Sequence, residues 1–282
     1  HQFMEKDEIK IGLQDLTHGG DFATVWNENT YGKISTILIT TENSYPEKGS
    51  VDKATRTVKK AIKNINSDLK AWINVHRKWW HDYYPQSFVW FPDSAGQSFY
   101  WGNIYRMACC TRPDAQYIDT PGMWNSGGPW PYSTHDFNTQ TAHFPVYTAN
   151  RLHLGEALMN SLRRNMNNLT ANVVPREWQD DSAYLHLATA FDMKGTRDGD
   201  GRYTDLLGCL PWLLNNGWLH YRYTMDKKLL REIIFPLLRC SINLYRHLIF
   251  TGDDQYSQYP EKYKRDRLKF YFRSHFDLLT QV

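Results

Sequence analysis

The sequence predicts a mainly α protein, built as a helical toroid or solenoid of hairpins, with a short β-strand segment at its N-terminus. Three observations support this prediction. After residue 50, apolar residues recur at spacings of three and four, which is the period of an amphipathic helix. No strand-like alternation is visible beyond that point, whereas residues 33–41 form a β-branched apolar run without helical period. Long loops rich in glycine, proline and aromatic residues separate the predicted helices.

The N-terminal part of the chain differs from the rest. Residues 1–49 are predicted to form a strand-containing segment, with the strand at 33–41 and a linker at 42–49, and residues 50–282 to form the helical domain. Ser50 is the expected N-cap of a long amphipathic helix that runs past residue 76, because Asp52 then falls in its first turn.

The remaining elements follow from helical periodicity and from the positions of proline and glycine. The residues 119–133 contain three prolines and three glycines and are predicted to form an aromatic-rich loop, and 195–201 a flexible turn. Further helices are predicted over 98–110, 136–150, 152–165, 181–191, 205–223 and 226–250.

Composition excludes several classes of protein. The chain of 282 residues carries 33 Lys+Arg against 30 Asp+Glu, and this balance gives no basis for binding nucleic acid or an anionic membrane. Its longest apolar run, residues 206–214, is much shorter than the about 20 residues of a membrane helix. The four cysteines form no CxxC pair and no nucleotide or zinc motif occurs, so neither a metal nor a cofactor is predicted. The 11 Trp, 18 Tyr and 13 Phe suit either stacking on sugar rings or filling a large core.

Three segments concentrate side chains that could bind a sugar or catalyse its hydrolysis. The first, at the end of the long helix, contains Trp79, Trp80 and His81. The two tryptophans could equally be core anchors, and His81 with Asp82 a solvated helix end.

The second segment places polar residues at the start of a predicted helix, where free backbone N–H groups gather at one mouth. It contains Trp130, Tyr132, His135, Asp136, Asn138 and Gln140. Asp136 and Asn138 are two positions apart, so they converge only if the helix begins between them. Asp136 could instead be an ordinary N-cap.

The third segment is an aromatic loop that contains Glu261 after Pro260. A desolvated carboxyl there would have the raised pKa that a general acid requires. Glu261 could also be a surface residue beside Lys262 and Lys264, which would keep it ionised.

Several ordered blocks resemble the catalytic helical domain of glycoside hydrolase family 95, of the six-hairpin glycosidase superfamily. The strongest is HDFNTQ at 135–140 followed by FPVYTANRL at 144–152. Others are WWHDYY at 79–84, WGNIYR at 101–106, PGMW at 121–124 and HYRYTMD at 220–226. The resemblance implies a partial (α/α)6 toroid, in which Trp79, Trp80, Trp124, Trp130 and Tyr132 line one mouth.

That family acts by inversion on α-linked L-fucose or L-galactose, so the resemblance implies a glycoside or oligosaccharide substrate. It assigns Asn138 to the second of two water-positioning asparagines and puts Asp136 in place of the first. Glu261 becomes the candidate general acid. His81, His135 and Gln140, from the first two segments described above, are predicted to bind substrate. The family's general base would lie beyond Val282, so we expect a shortened copy with weak or undetectable hydrolysis. The alternative is a non-catalytic sugar-binding or scaffolding domain that lacks the base. The resemblance also implies a secreted or periplasmic protein, although the chain contains no signal segment. The resemblance predicts no oligomeric state.

Overall fold

The computed structural model describes residues 1–17, 19–31, 33–119, 132–174, 176–195 and 207–249, and the fold is mainly α as predicted. The chain divides into two compact units, His1–Pro85 and Gln86–Val282. The first combines the sheet with the long helix, and the second holds the remaining helices. The domain boundary predicted after residue 49 stays a prediction, because a division in space does not show which segments fold independently.

The first unit is built on a four-stranded antiparallel sheet. Its strands are β1 Gln2–Lys6, β2 Ile9–Asp15, β3 Asp21–Tyr31 and β4 Ile34–Ser44, in the order β1-β2-β3-β4. Within β3, Ala23 and Val25 are fully buried in a core with Ala54 and Val58 of the long helix. The alternate residues of β3 face away from this core, which is the period of two that a half-buried strand shows. The strand predicted at 33–41 is therefore β4, and the three strands before it were not predicted.

The long helix α1 spans Ser50–Tyr83, as the apolar spacing predicts, but Ser50 does not cap it. Its first N–H groups are capped from the sheet, because the Asp21 carboxylate accepts hydrogen bonds from the nitrogens of Gly49 and Ser50, both at 3.0 Å. The helix is also interrupted at Asp68, whose backbone is not helical. Asp68 accepts a bond from the Ala71 nitrogen at 2.9 Å, so it acts as an N-cap for the second half of α1.

The second unit has a core built mainly of leucines and isoleucines. Leu158, Leu162, Leu213, Leu214 and Ile234 are fully buried there. The helices are α2 Ser94–Cys110, α3 Asn138–Thr148, α4 Leu152–Arg164, α5 Met166–Ala171, α6 Cys209–Thr224, α7 Lys227–Leu229 and α8 Phe235–Ile249, with a π-helical segment Leu230–Ile234 between the last two. Short strands β5 Ser133–Thr134 and β6 Ala188–Thr189 pair in antiparallel register.

Two predicted helices differ from the structure. The helix predicted over 181–191 is wrong, because residues 182–187 are non-helical and β6 follows them. The backbone of this segment bonds instead to other elements, with Tyr184 N donating to Leu169 O at 2.9 Å and Ala183 N to Cys240 O at 3.4 Å. The helix predicted over 136–150 begins at Asn138, so Asp136 lies in the turn before it. The α2, α4, α6 and α7–α8 regions agree with prediction to within a few residues at each end.

Candidate active site

The second predicted segment, which is the most polar of the three, contains a tight turn between β5 and α3. The helix begins between Asp136 and Asn138, which is the arrangement that lets both side chains lie at its mouth. Phe137 separates them with a backbone φ of +156°, a conformation that L-residues rarely adopt. Asp136 and Asn138 are half-buried, whereas the Phe137 side chain is 58% exposed. Asp136 is not the N-cap of α3, because that position belongs to Phe137.

Gln140, from the first turn of α3, bonds to the backbone on both sides of Asp136. Its side-chain nitrogen donates to the His135 carbonyl oxygen at 2.6 Å, and its side-chain oxygen accepts from the Phe137 nitrogen at 3.2 Å. Its exposed fraction is 0%. Asn216 of α6 donates to the Gln140 carbonyl oxygen at 3.0 Å. These hydrogen bonds fix the backbone of the turn from the buried side of the second unit.

Asp119 holds the other end of the same turn. One of its carboxylate oxygens accepts from the Thr134 nitrogen at 3.3 Å and lies 3.3 Å from the Thr139 hydroxyl. That hydroxyl also donates to the Thr134 carbonyl oxygen at 2.7 Å. Sequence reasoning missed both Asp119 and Asn216, because each lies far along the chain from the turn and in no local motif.

Buried imidazoles lie beneath this turn. His135 contacts the Thr189 hydroxyl through Nε2 at 2.8 Å, and His143 donates from Nδ1 to the Thr139 carbonyl oxygen at 2.7 Å. Burial lowers the pKa of His135 to about 3 and that of His143 to about 4, so both rings are neutral at physiological pH. His220 of α6 is also buried, and burial lowers its pKa as well. The neutral ring of His135 therefore adds no positive charge next to Asp136.

The pKa of the Asp136 carboxyl is raised because burial penalises its charged form, an effect that a backbone hydrogen bond only partly offsets. A carboxylate whose pKa is raised is a stronger base than one in water. Asn138, two positions away, offers a carboxamide that can both donate and accept hydrogen bonds. The start of α3 therefore carries a proton acceptor and, two positions away, a hydrogen-bonding carboxamide.

The aromatic residues of the first predicted segment lie in the other unit. Trp79 is 38% exposed and stacks on Tyr83 at 5.1 Å between ring centroids. Trp80 stacks on Tyr84 at 5.5 Å, and its Nε1 donates to His76 at 3.2 Å. His81 is exposed. Both tryptophans thus belong to an aromatic ladder along α1, and their role as sugar contacts stays a prediction.

The rest of the predicted site is only partly described. Tyr132 is 37% exposed at the start of β5. Trp124, Trp130 and Glu261 lie outside the described residues, as do most of the loop predicted at 119–133 and all of the turn predicted at 195–201 except Gly195. The common mouth predicted for the five aromatic side chains therefore stays a prediction.

The described ranges contain neither a candidate metal site nor a helix able to span a membrane. No set of three or more His, Cys, Asp or Glu side chains there is arranged to hold a metal ion. No helix there combines the length and apolar character needed to cross a bilayer.

Comparison with known proteins adds one match. A family model described as the glycosyl hydrolase family 95 catalytic domain matches residues 96–263. This range includes the turn with Asp136, Asn138 and Gln140, and extends to Glu261. No curated protein matches the chain.

Proposed function

Because the chain belongs to glycosyl hydrolase family 95, we propose that it hydrolyses α-L-fucosyl or α-L-galactosyl linkages with inversion of configuration, and at a low rate because Asp136 takes the place of the family's downstream base. A carbohydrate substrate follows from the family, whereas the sugar and the linkage rest on the resemblance of the motifs. The observation that carries the mechanism is the turn at 135–138, which presents a half-buried carboxyl of raised pKa two positions from a carboxamide.

In this mechanism two carboxyl groups divide the acid and base work. Glu261 donates a proton to the glycosidic oxygen as its bond to the anomeric carbon breaks. Water attacks the opposite face of that carbon, and Asp136 accepts the proton that the water loses, while Asn138 orients the water. Inverting enzymes place the two carboxyl groups about 6.5–9.5 Å apart to leave room for this water. The raised pKa of Asp136 supports its assignment as the base in place of a water-positioning asparagine.

Turnover of aryl α-L-fucoside and α-L-galactoside by the purified chain tests the proposal, with NMR of the first-formed anomer to establish inversion. Asp136→Asn restores the asparagine that the family pattern has at this position, so it separates the two roles of Asp136. We expect Asp136→Asn and Glu261→Gln each to lower kcat at least 100-fold. The control Glu232→Gln, at an exposed position of the π-helical segment Leu230–Ile234, leaves kcat unchanged. Equal or higher kcat for Asp136→Asn would show that Asp136 only positions water.

A second candidate function is sugar binding without hydrolysis. The observation that favours it is the aspartate at 136, which departs from the family's paired asparagines. Calorimetry with L-fucose, L-galactose and rhamnose distinguishes the two functions when it is paired with the turnover assay. Binding of one of these sugars together with no release of aryl alcohol supports the binding domain and contradicts the glycosidase.

A further inference from the structure

The hydrogen bonds of Gln140 differ from those expected of a residue that binds substrate. Its exposed fraction is 0%, so the side chain offers no surface to a sugar. Its nitrogen and oxygen each bond to a backbone group, at His135 and at Phe137 respectively. Both bonds are local, three and five positions back along the chain, and they enclose Asp136.

The backbone that these bonds enclose is strained. Phe137 has a φ of +156°, and its side chain is largely exposed, so packing does little to hold that conformation. Its nitrogen donates to Gln140, and its carbonyl oxygen accepts from the Thr141 nitrogen at 2.9 Å. Rotation about the Phe137 backbone would change the direction of Asp136 relative to Asn138, because the two residues flank it.

We propose that Gln140 is a positioning residue, which holds the Asp136 carboxyl and the Asn138 carboxamide at the angle needed to orient and activate water. This inference rests on the proposed function for the catalytic roles of those two groups. Asn216 supports the arrangement from α6, because its side chain donates to the Gln140 carbonyl oxygen and its own carbonyl oxygen accepts from the Tyr147 hydroxyl at 2.7 Å.

Two substitutions of Gln140 separate the bonds that it makes. Gln140→Met keeps the length of the side chain and removes both bonds. Gln140→Glu keeps an oxygen that accepts from Phe137, and its ionised carboxylate has no donor for the His135 carbonyl oxygen. Gln179→Met is the matched control, because the Gln179 side chain is half-buried and donates to the Val173 carbonyl oxygen at 2.8 Å outside the turn.

The kinetic readout is the split between kcat and KM on the aryl glycoside. We expect Gln140→Met to lower kcat at least 10-fold while KM changes less than threefold. The kcat of Gln140→Glu should lie between those of Gln140→Met and the wild type. Gln179→Met should leave both kcat and KM unchanged. A rise in KM with unchanged kcat would overturn the proposal, since it would indicate direct contact with substrate. Equal losses for Gln140→Met and Gln179→Met would also overturn it, since they would indicate a general loss of stability. If Gln140→Met does not fold, an unchanged kcat for folded Gln140→Glu with its carboxylate ionised would also overturn the proposal.

A second readout does not depend on turnover. Amide exchange at Phe137 and the side-chain carboxyl ¹³C resonance of Asp136 report the turn directly. We expect exchange at Phe137 to accelerate at least 10-fold and the Asp136 resonance to shift in Gln140→Met, with neither change in Gln179→Met. An unaltered Asp136 resonance in a folded Gln140 variant would overturn the positioning role. Absence of hydrolysis by the wild-type chain would contradict only the proposed function.

Discussion

Acid is expected to destabilise the second unit through its buried imidazoles, His135 and His143. Both are neutral in the folded protein, with pKa values of about 3 and about 4, and both regain an ordinary pKa of about 6.5 on unfolding. Below about pH 6.5 the unfolded chain therefore binds more protons than the folded one, and stability falls with pH down to the folded pKa values. Between about pH 7.5 and about pH 5.5 each imidazole removes about 1.4 kcal/mol from the free energy of unfolding, and the pair about 3 kcal/mol. This magnitude depends on the unfolded pKa alone, because both folded values lie well below pH 5.5.

The assay is urea unfolding at the two pH values, followed by far-UV circular dichroism, for the wild type and for the double variant His135→Gln/His143→Asn. The asparagine can keep a donor near the Thr139 carbonyl oxygen, and the glutamine a polar group near the Thr189 hydroxyl. We expect the double variant to lose about 3 kcal/mol of the pH dependence while the contributions of all other groups cancel in the difference. The same pH dependence in both proteins, or an NMR titration of either imidazole near pH 6.5 in the folded chain, would refute the reasoning.

Two further predictions concern a pair of helical glycines and the cap of α1. Gly155→Ala is expected to lower the free energy of unfolding although alanine is the better helix former by about 1 kcal/mol, because its Cβ would lie 2.8 Å from His220 Nδ1. The control is Gly102→Ala in α2, which has no atom within 4 Å of the new Cβ and should raise that free energy by up to about 1 kcal/mol in the same urea assay. Asp21→Ala is expected to lower the Tm of the first unit at neutral pH, since it removes the cap of α1. Burial alone would raise the Asp21 pKa, but the bonds from Gly49 and Ser50 outweigh it and lower the pKa. The Tm difference should therefore shrink as acid protonates Asp21, and a constant difference would contradict the capping role.

Local signals predicted much of the fold. The apolar stripes of α1, α4 and α7–α8 repeat every three or four residues, so they report a helix whatever its neighbours are. The 181–191 segment was predicted wrongly because its conformation depends on partners at Leu169 and Cys240 that no local pattern reveals. The first three strands contain no long β-branched run, which is the signal that predicts β4, although β3 shows period-two burial.

The candidate site also has a part that local sequence predicts and a part that depends on distant residues. Asp136, Asn138 and Gln140 were identified together, because a helix start with several polar side chains can be recognised from sequence. The position of the helix start within that group could not be predicted, since it depends on the unusual backbone of Phe137. Asn216 lies 76 positions from the residue that it supports, and only the packing of α6 against α3 brings them together.

The Asp21 carboxylate bears on how this protein could be shortened or recombined. It belongs to β3, yet it satisfies the first backbone donors of α1 across the segment that looks like a linker. A deletion of the strands would leave those donors unbonded and would uncover Ala54 and Val58. A junction placed after residue 83 would keep the sheet and α1 together as one exchangeable piece, whereas a junction at residue 49 would separate the helix from both its cap and its packing surface.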